Sequence, residues 1–312
     1  MRNNYRNDAR RIDAALATYE RASAPLPGLV SPAHREAFIE QVIDSEQRVA
    51  YTDRLLGREL DPAAKDPRSP GFDPLRAAVI YAREGNYDEA VWLVYLFVHF
   101  GKHRLAGWRY VRDVYGAFGS NPGNWWTWQR TAGDPTAFRF WLDDHQDDFH
   151  IEPGAHGFGN HRKYVSLKSW TENGTGAAVE SYVAWVLSAG GDHAQRFAFV
   201  KGMPEKEAFA ALYDSLKPVI QFGRIAKFDY LTMLAKLKLV EITPPHSYLV
   251  GATGPLRGAR LLLHADVNAG TAKQIQSELA ALGIACDLRP DVLEDAVCNW
   301  QKSPDKYVRF SG

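Results

Sequence analysis

Three proline-marked helix starts constrain this chain more than any other feature. Ser31-Pro32, Asp73-Pro74 and Asp134-Pro135 each set an N-cap residue before a proline at the first helical position. There the missing N–H has no helical partner to lose, and the fixed φ suits the first turn. Apolar residues then return at helical spacing in AFIEQVIDSEQRVAYTDRLL, AAVESYVAWVL, AFAALYDSL and IAKFDYLTMLAKLKLV, whereas strict two-residue alternation is scarce. The pattern predicts an all-α protein. Residues 151–176 and the short runs around Ile242 and Ile284 leave room for small strands. Two Pro/Gly-bearing connectors, LDPAAKDPRSPGFDP (60–74) and EPGAHGFGNHRKY (152–164), interrupt the helical pattern. They suggest two helical lobes, residues 1–150 and 151–312, the second carrying a cleft.

A chain of 312 residues with 46% hydrophobic residues and nine tryptophans can bury a substantial core, unlike a disordered segment. The amino terminus is basic without a following apolar stretch, so no secretory signal is visible and a cytoplasmic location is expected. The run VWLVYLFVHF (91–100) is too short to span a bilayer and reads as a buried helix. Cys286 and Cys298 form no CxxC or metal-spaced pattern and are expected to be reduced. His99 and His103 share a helical spacing, but no HExxH motif or third ligand accompanies them, so no metal is expected. A P-loop, a dinucleotide fingerprint and a Ser-centred nucleophile elbow are also absent, and no organic cofactor is implied.

Basic and acidic residues balance at 37 each, so composition gives no support to a nucleic-acid partner. Locally, GKHRLAGWRYVR, NHRKYVSLK and the span from Lys217 to Arg260 alternate cations with aromatics, a pattern shared by phosphate-tracking grooves and by ordinary solvated helix faces. The stretch LVGATGPLRGARLLL (249–263) follows the helical run DYLTMLAKLKL and the turn EITPPHSY. Helix, glycine-bearing turn and helix together suggest a helix-hairpin-helix. In that device Gly251, Gly254 and Gly258 would let backbone amides approach a DNA phosphate, with Arg257 and Arg260 adding charge. An ordinary helix-to-helix turn uses the same residues.

Three segments in order, FGRIAKFDYLTML (222–234), GATGPLRGARLLL (251–263) and VLEDAVCNWQKSPD (292–305), with VHFGKHR and FGNHRKY nearer the amino terminus, carry a resemblance. The chain is similar to the third clade of the α-glutamyl/putrescinyl thymine pyrophosphorylase family, itself related to helix-hairpin-helix DNA glycosylases. Within the last segment Glu294, Cys298 and Lys302 match other clades, whereas Asp295 and Asn299 depart from them. The resemblance implies work on hypermodified pyrimidines in DNA, in a family tied to phages and the bacteria they infect. It leaves open exchange of a substituent on the base or removal of the base.

Base removal requires a carboxylate that stabilises a cationic sugar and a pocket for the flipped base. The carboxylates are Asp295, first in order, then Asp266, Asp229 and Glu294; Asp295 and Asn299 stand one helical turn apart and can face one cleft. Phosphate contacts are expected from Arg224, His161, Arg162, Lys163 and Lys302 as well as the hairpin, and Trp300, Asn299 and Tyr164 are candidates for the base pocket. Lys302 also has the position of a lyase nucleophile, but its place at a helix end favours a phosphate contact, and with it a monofunctional reaction. The sequence thus leads to a glycosylase-like enzyme that excises a bulky modified pyrimidine from double-stranded phage DNA, with anti-phage defence as the expected role, no membrane role and no obligate protein partner. The alternatives are a transferase that joins an amine or amino acid to an activated hydroxymethyl pyrimidine, and a non-catalytic sensor of modified DNA.

Overall fold

The computed structural model describes residues 3–150, 157–159, 162 and 165–309. Among them the chain is all-helical. In order the helices are α1 (Asn3–Ala22), α2 (Pro32–Gly57), α3 (Pro74–Arg83), α4 (Tyr87–Phe100), α5 (Arg109–Tyr115), α6 (Trp128–Gly133), α7 (Pro135–Asp144), α8 (Thr175–Leu187), α9 (His193–Ala198), α10 (Glu205–Ser215), α11 (Arg224–Lys236), α12 (Gly254–His264), α13 (Ala272–Cys286) and α14 (Pro290–Trp300). Isolated bridges at His103–Gly107 and Ser166–Gly174 are the only extended pairings among the described residues. Ile284 lies inside α13, so the strand allowed for there is replaced by helix. No helix among the described residues is long and apolar enough to cross a membrane.

The helix starts follow the local chemistry read above. Asp73 accepts the backbone N–H groups of Leu75 and Arg76, and Asp134 accepts that of Ala137. Each side chain satisfies donors that the first turn would otherwise leave open.

The chain divides into two compact units, residues 1–53 with 244–311, and residues 54–243. This division differs from the expected one at residue 150. The first unit closes the two ends of the chain onto one core, in which Ile12, Leu16, Phe38 and Val42 join Leu262, Leu279, Val297 and Trp300. Burial of these side chains, worth roughly 1.5–3 kcal/mol each, outweighs the loop punctuation on which a linear division relies. Polar pairs line the same joint: His34 Nε2 meets the Asp305 carboxylate at 2.9 Å, and the Gln41 amide donates to the Val308 carbonyl at 2.9 Å.

The second unit is organised around α4. Its run Val91–Leu96 is fully buried, and α4 packs against α3, α5, α6, α9 and α11. A helix apolar on every side needs cover on every side, and five neighbours supply it. Asn86 caps its start by accepting the Glu89 N–H, and Gly101, at φ 66°, ends it.

Candidate functional site

The last turn of α4 is where the second unit gathers its chemistry. Gly101 and Gly159 meet backbone to backbone; a Cβ on Gly159 would lie 2.8 Å from the Gly101 carbonyl carbon, so neither position accepts a side chain without moving. The Gly159 N–H donates to the Phe100 carbonyl at 2.7 Å, and the Phe158 ring stacks on Phe100. That contact delivers Arg162 into the interior. Its Nε–H donates to the Val98 carbonyl at 2.7 Å, and its Nη2 meets the Asp229 carboxylate on α11 at 3.0 Å. Arg162 is buried, whereas the Asp229 side chain keeps 40% of its surface open. An arginine fixed from two sides therefore orients a carboxylate that still reaches solvent.

His99 closes the back of this arrangement. Its Nε2 lies 3.0 Å from the Thr175 hydroxyl, which itself donates to the Ser166 carbonyl at 2.9 Å. The threonine proton is thus committed, so His99 carries its proton on Nε2 and donates. Burial, with the Arg162 charge adding to it, lowers the His99 pKa to about 3, and the ring stays neutral. His103 serves elsewhere: its Nδ1 accepts the N–H groups of Leu105 and Ala106.

Residues 99–104, 158–165 and 222–234 carry Lys102, Arg104, Arg162, Lys163, Arg224 and Lys227 and a single acid, Asp229. Lys102 and Arg104 are exposed, and Lys227 has its pKa lowered by desolvation and then by the neighbouring Lys217. Of these cations Arg162 is the one bonded to Asp229, while Lys102 lies over the Trp108 ring and Lys227 over that of Tyr213. His161, Lys163 and Tyr164, also expected to contribute, lie outside the described residues.

The remaining expected residues fall in the first unit. Asp295 is engaged on both oxygens: Oδ2 accepts from Ser45 at 2.7 Å and pairs with Arg48, and Oδ1 accepts from Asn299 at 2.8 Å. Lys302 donates to the Asn299 Oδ1 at 2.9 Å. The expected Asp295–Asn299 pairing is present, and it sits in a network that ties α14 to α2. Glu294 is half-buried beside it. Asp266 is exposed and accepts the Asn268 N–H at 2.9 Å, a local turn at the end of α12.

Two expectations require correction. Trp300 is fully buried, donates its indole N–H to the His34 carbonyl, and packs edge-on against Phe38; a ring covered in this way has no face for a flipped base. The hairpin is also not formed by α11 and α12. Residues 237–253 separate them, and Gly254 and Gly258 lie within α12. A Cβ on Gly258 would lie 2.1 Å from the Val297 carbonyl oxygen, and one on Gly254 3.0 Å from the Cys298 sulfur. These glycines let α12 approach α14, as small residues four apart do. Only Gly251, at φ 80° with open space around it, acts as a turn glycine. Arg260 donates to the Gly270 carbonyl at 2.9 Å, while Arg257 is exposed.

At the opposite end of α4 the sequence reading missed a cavity of about 610 Å³ lined by Tyr81, Asn86, Asp88, Glu89, Thr127 and Trp128 among others. Its signal was the run NYDEA, two acids after an N-cap asparagine.

Among its described residues the chain is all-helical, and it sets the buried Arg162 against the part-exposed Asp229. Residues 33–312 match the family model described as alpha-glutamyl/putrescinyl thymine pyrophosphorylase clade 3, and the chain belongs to that family. No curated protein and no solved structure matches it.

Proposed function

We propose that the protein exchanges a substituent on a modified thymine in DNA, joining an amine-bearing group to the thymine 5-methylene carbon and releasing pyrophosphate. The observation that carries this reading is the Arg162–Asp229 pair, with Gly159 bonded to the end of α4 and Arg162 reaching Asp229 on α11. The family description supports it, since it joins thymine, a glutamyl or putrescinyl group and pyrophosphate.

In the proposed step the amine nitrogen attacks the methylene carbon as the carbon–oxygen bond to pyrophosphate breaks, and the leaving group departs with the bonding pair. Asp229 takes the proton that the nitrogen loses. Arg162 holds Asp229, and the cations carried by the same segments offset the charge that grows on the leaving oxygen. Excision of the base, the reading to which the sequence alone led, drew on a hairpin that α11 and α12 do not form.

The test uses duplex DNA containing pyrophosphorylated 5-hydroxymethyluracil, the full chain, and glutamate or 1,4-diaminobutane as the amine. Pyrophosphate release with a nucleoside that carries the amine on its methylene carbon is expected, and Asp229→Asn should reduce the rate by at least about a hundredfold while DNA is still bound. Free base and an abasic strand would replace this reading with a glycosylase. Binding without product would make the protein a sensor.

A further inference from the structure

The run GKHRLAGWRYVR places Lys102, His103, Arg104, Arg109 and Arg112 within residues 101–112, which hold no acid. Between α4 and α5 it folds into a tight loop. His103 and Gly107 exchange both backbone N–H groups at 2.9 Å, with Gly107 at φ 60°. Inside the turn the His103 Nδ1 accepts the N–H groups of Leu105 and Ala106 at 3.3 and 3.0 Å. The base of the loop is held as well. Trp108 donates its indole N–H to Asp73 at 3.2 Å and packs on Phe97 with ring centroids 4.9 Å apart. A Cβ on Gly157 would lie 3.5 Å from the His103 ring, so the segment that carries Arg162 inward also passes this loop.

What this loop holds out is apolar. Leu105 at its tip is 69% exposed, and Lys102 and Arg104 beside it in the loop are exposed too. A single leucine on a surface is ordinary where nothing fixes it and the charges around it are mixed. Here four hydrogen bonds fix the backbone that carries it. The charges of the loop are also of one sign. Arg109 and Arg112 are held by Asp113 at the start of α5, whereas Arg104 takes no partner among the described residues. A rigid apolar tip with a free cation next to it matches duplex DNA, whose phosphates meet the cation and whose base stack admits an apolar wedge.

Resting on the DNA reaction proposed above, we propose that Leu105 is a wedge that enters the base stack of the substrate duplex beside the modified thymine, with Arg104 on a flanking phosphate. Gly101, at φ 66°, ends α4, so the wedge and the Val98 carbonyl that holds Arg162 belong to one continuous stretch of chain. A thymine displaced by Leu105 leaves the stack on the side of the segment that bears Arg162. The contact the leucine makes with the neighbouring bases offsets part of the cost of unstacking them.

Fluorescence of 2-aminopurine tests this, with the probe base set next to pyrophosphorylated 5-hydroxymethyluracil in a duplex titrated with the full chain and no amine. The probe is dim while stacked, so its emission should rise as the wild-type chain saturates the duplex. Leu105→Ala should lose the rise while affinity changes by less than about tenfold, since phosphate contacts supply most of the binding; Leu105→Phe should keep the rise. With amine added, Leu105→Ala should slow turnover on the duplex by at least about tenfold more than on the single strand, which has no complementary strand to part from. A leucine that only supports the fold would slow both alike. A wild-type chain that does not bind the duplex, or binds it without a rise, would overturn the wedge, as would an equal rise with Leu105→Ala. An intact rise with no turnover on either strand would sustain the wedge and overturn the exchange reaction alone.

Discussion

Glu89→Gln isolates the electrostatic cost of the acidic cavity. Burial, the largest cause, raises the Glu89 pKa from the ordinary 4.5 to about 7; the bonds from Tyr115 and Trp128 oppose it and the Asp88 charge adds to it. Below pH 4.5 the carboxyl is protonated in both folded and unfolded chains, and its stabilising contribution is fully present. Between 4.5 and about 7 only the folded chain holds the proton, so each rise in pH favours unfolding. The gap between the two values corresponds to about 3 kcal/mol, lost by the time pH passes 7. Glutamine keeps the shape and an acceptor for the Trp128 N–H but does not titrate, so near pH 4.5 it should lie within about 1 kcal/mol of the wild type. Urea denaturation followed by tryptophan fluorescence reads the correct unit, since every tryptophan except Trp300 lies between residues 54 and 243. The stability of the variant relative to the wild type should rise by about 3 kcal/mol from pH 4.5 to pH 8. Parallel curves across that range would refute the reasoning, because they would mean that Glu89 titrates alike in both states.

Gly258→Ala should destabilise the first unit by about 3 kcal/mol or more, since its Cβ meets the Val297 carbonyl oxygen at 2.1 Å; an unchanged thermal midpoint would show that α12 and α14 can part cheaply. Asp295→Asn should cost about 1–3 kcal/mol by weakening the bonds to Arg48 and Ser45, with turnover retained; loss of turnover in a folded variant would return Asp295 to the catalytic role read from the sequence. Arg257→Ala tests whether α12 faces DNA, because its side chain is exposed. The slope of log affinity against log salt should then fall by about one, and an unchanged slope would take α12 out of the interface.

What the sequence made legible is what its local chemistry determines. Asp73 and Asp134 cap their helices as their spacing from proline predicts, and the apolar run in α4 is buried because no face of it is polar. The hairpin misled for a physical reason. Two glycines four residues apart suit a backbone that must meet an anion, and equally a helix that must meet another helix; Val297 and Cys298, some forty residues on, select the second use. Trp300 shows the same ambiguity, since a tryptophan near polar residues fits a stacking platform until Phe38 and His34, from the other end of the chain, cover it.

The two sites differ in how far sequence could reach them. Arg162 and Asp229 both appeared among the candidates, one as a phosphate contact and the other as a carboxylate, but their pairing joins residues 67 apart and needed the Gly101–Gly159 contact to bring the first inside. Asp88 and Glu89 look in sequence like first-turn acids placed to complement the helix dipole. What separates them from that role is distant: His193 fixes one oxygen of Asp88, while Tyr115 and Trp128 hold both oxygens of Glu89. Acids serving the dipole alone would be left to solvent. Burial at that position favours the protonated carboxyl and the donors oppose it, so the same helix start that stabilises α4 holds Glu89 at a pKa of about 7 while the bonds from His193 keep Asp88 below its ordinary value.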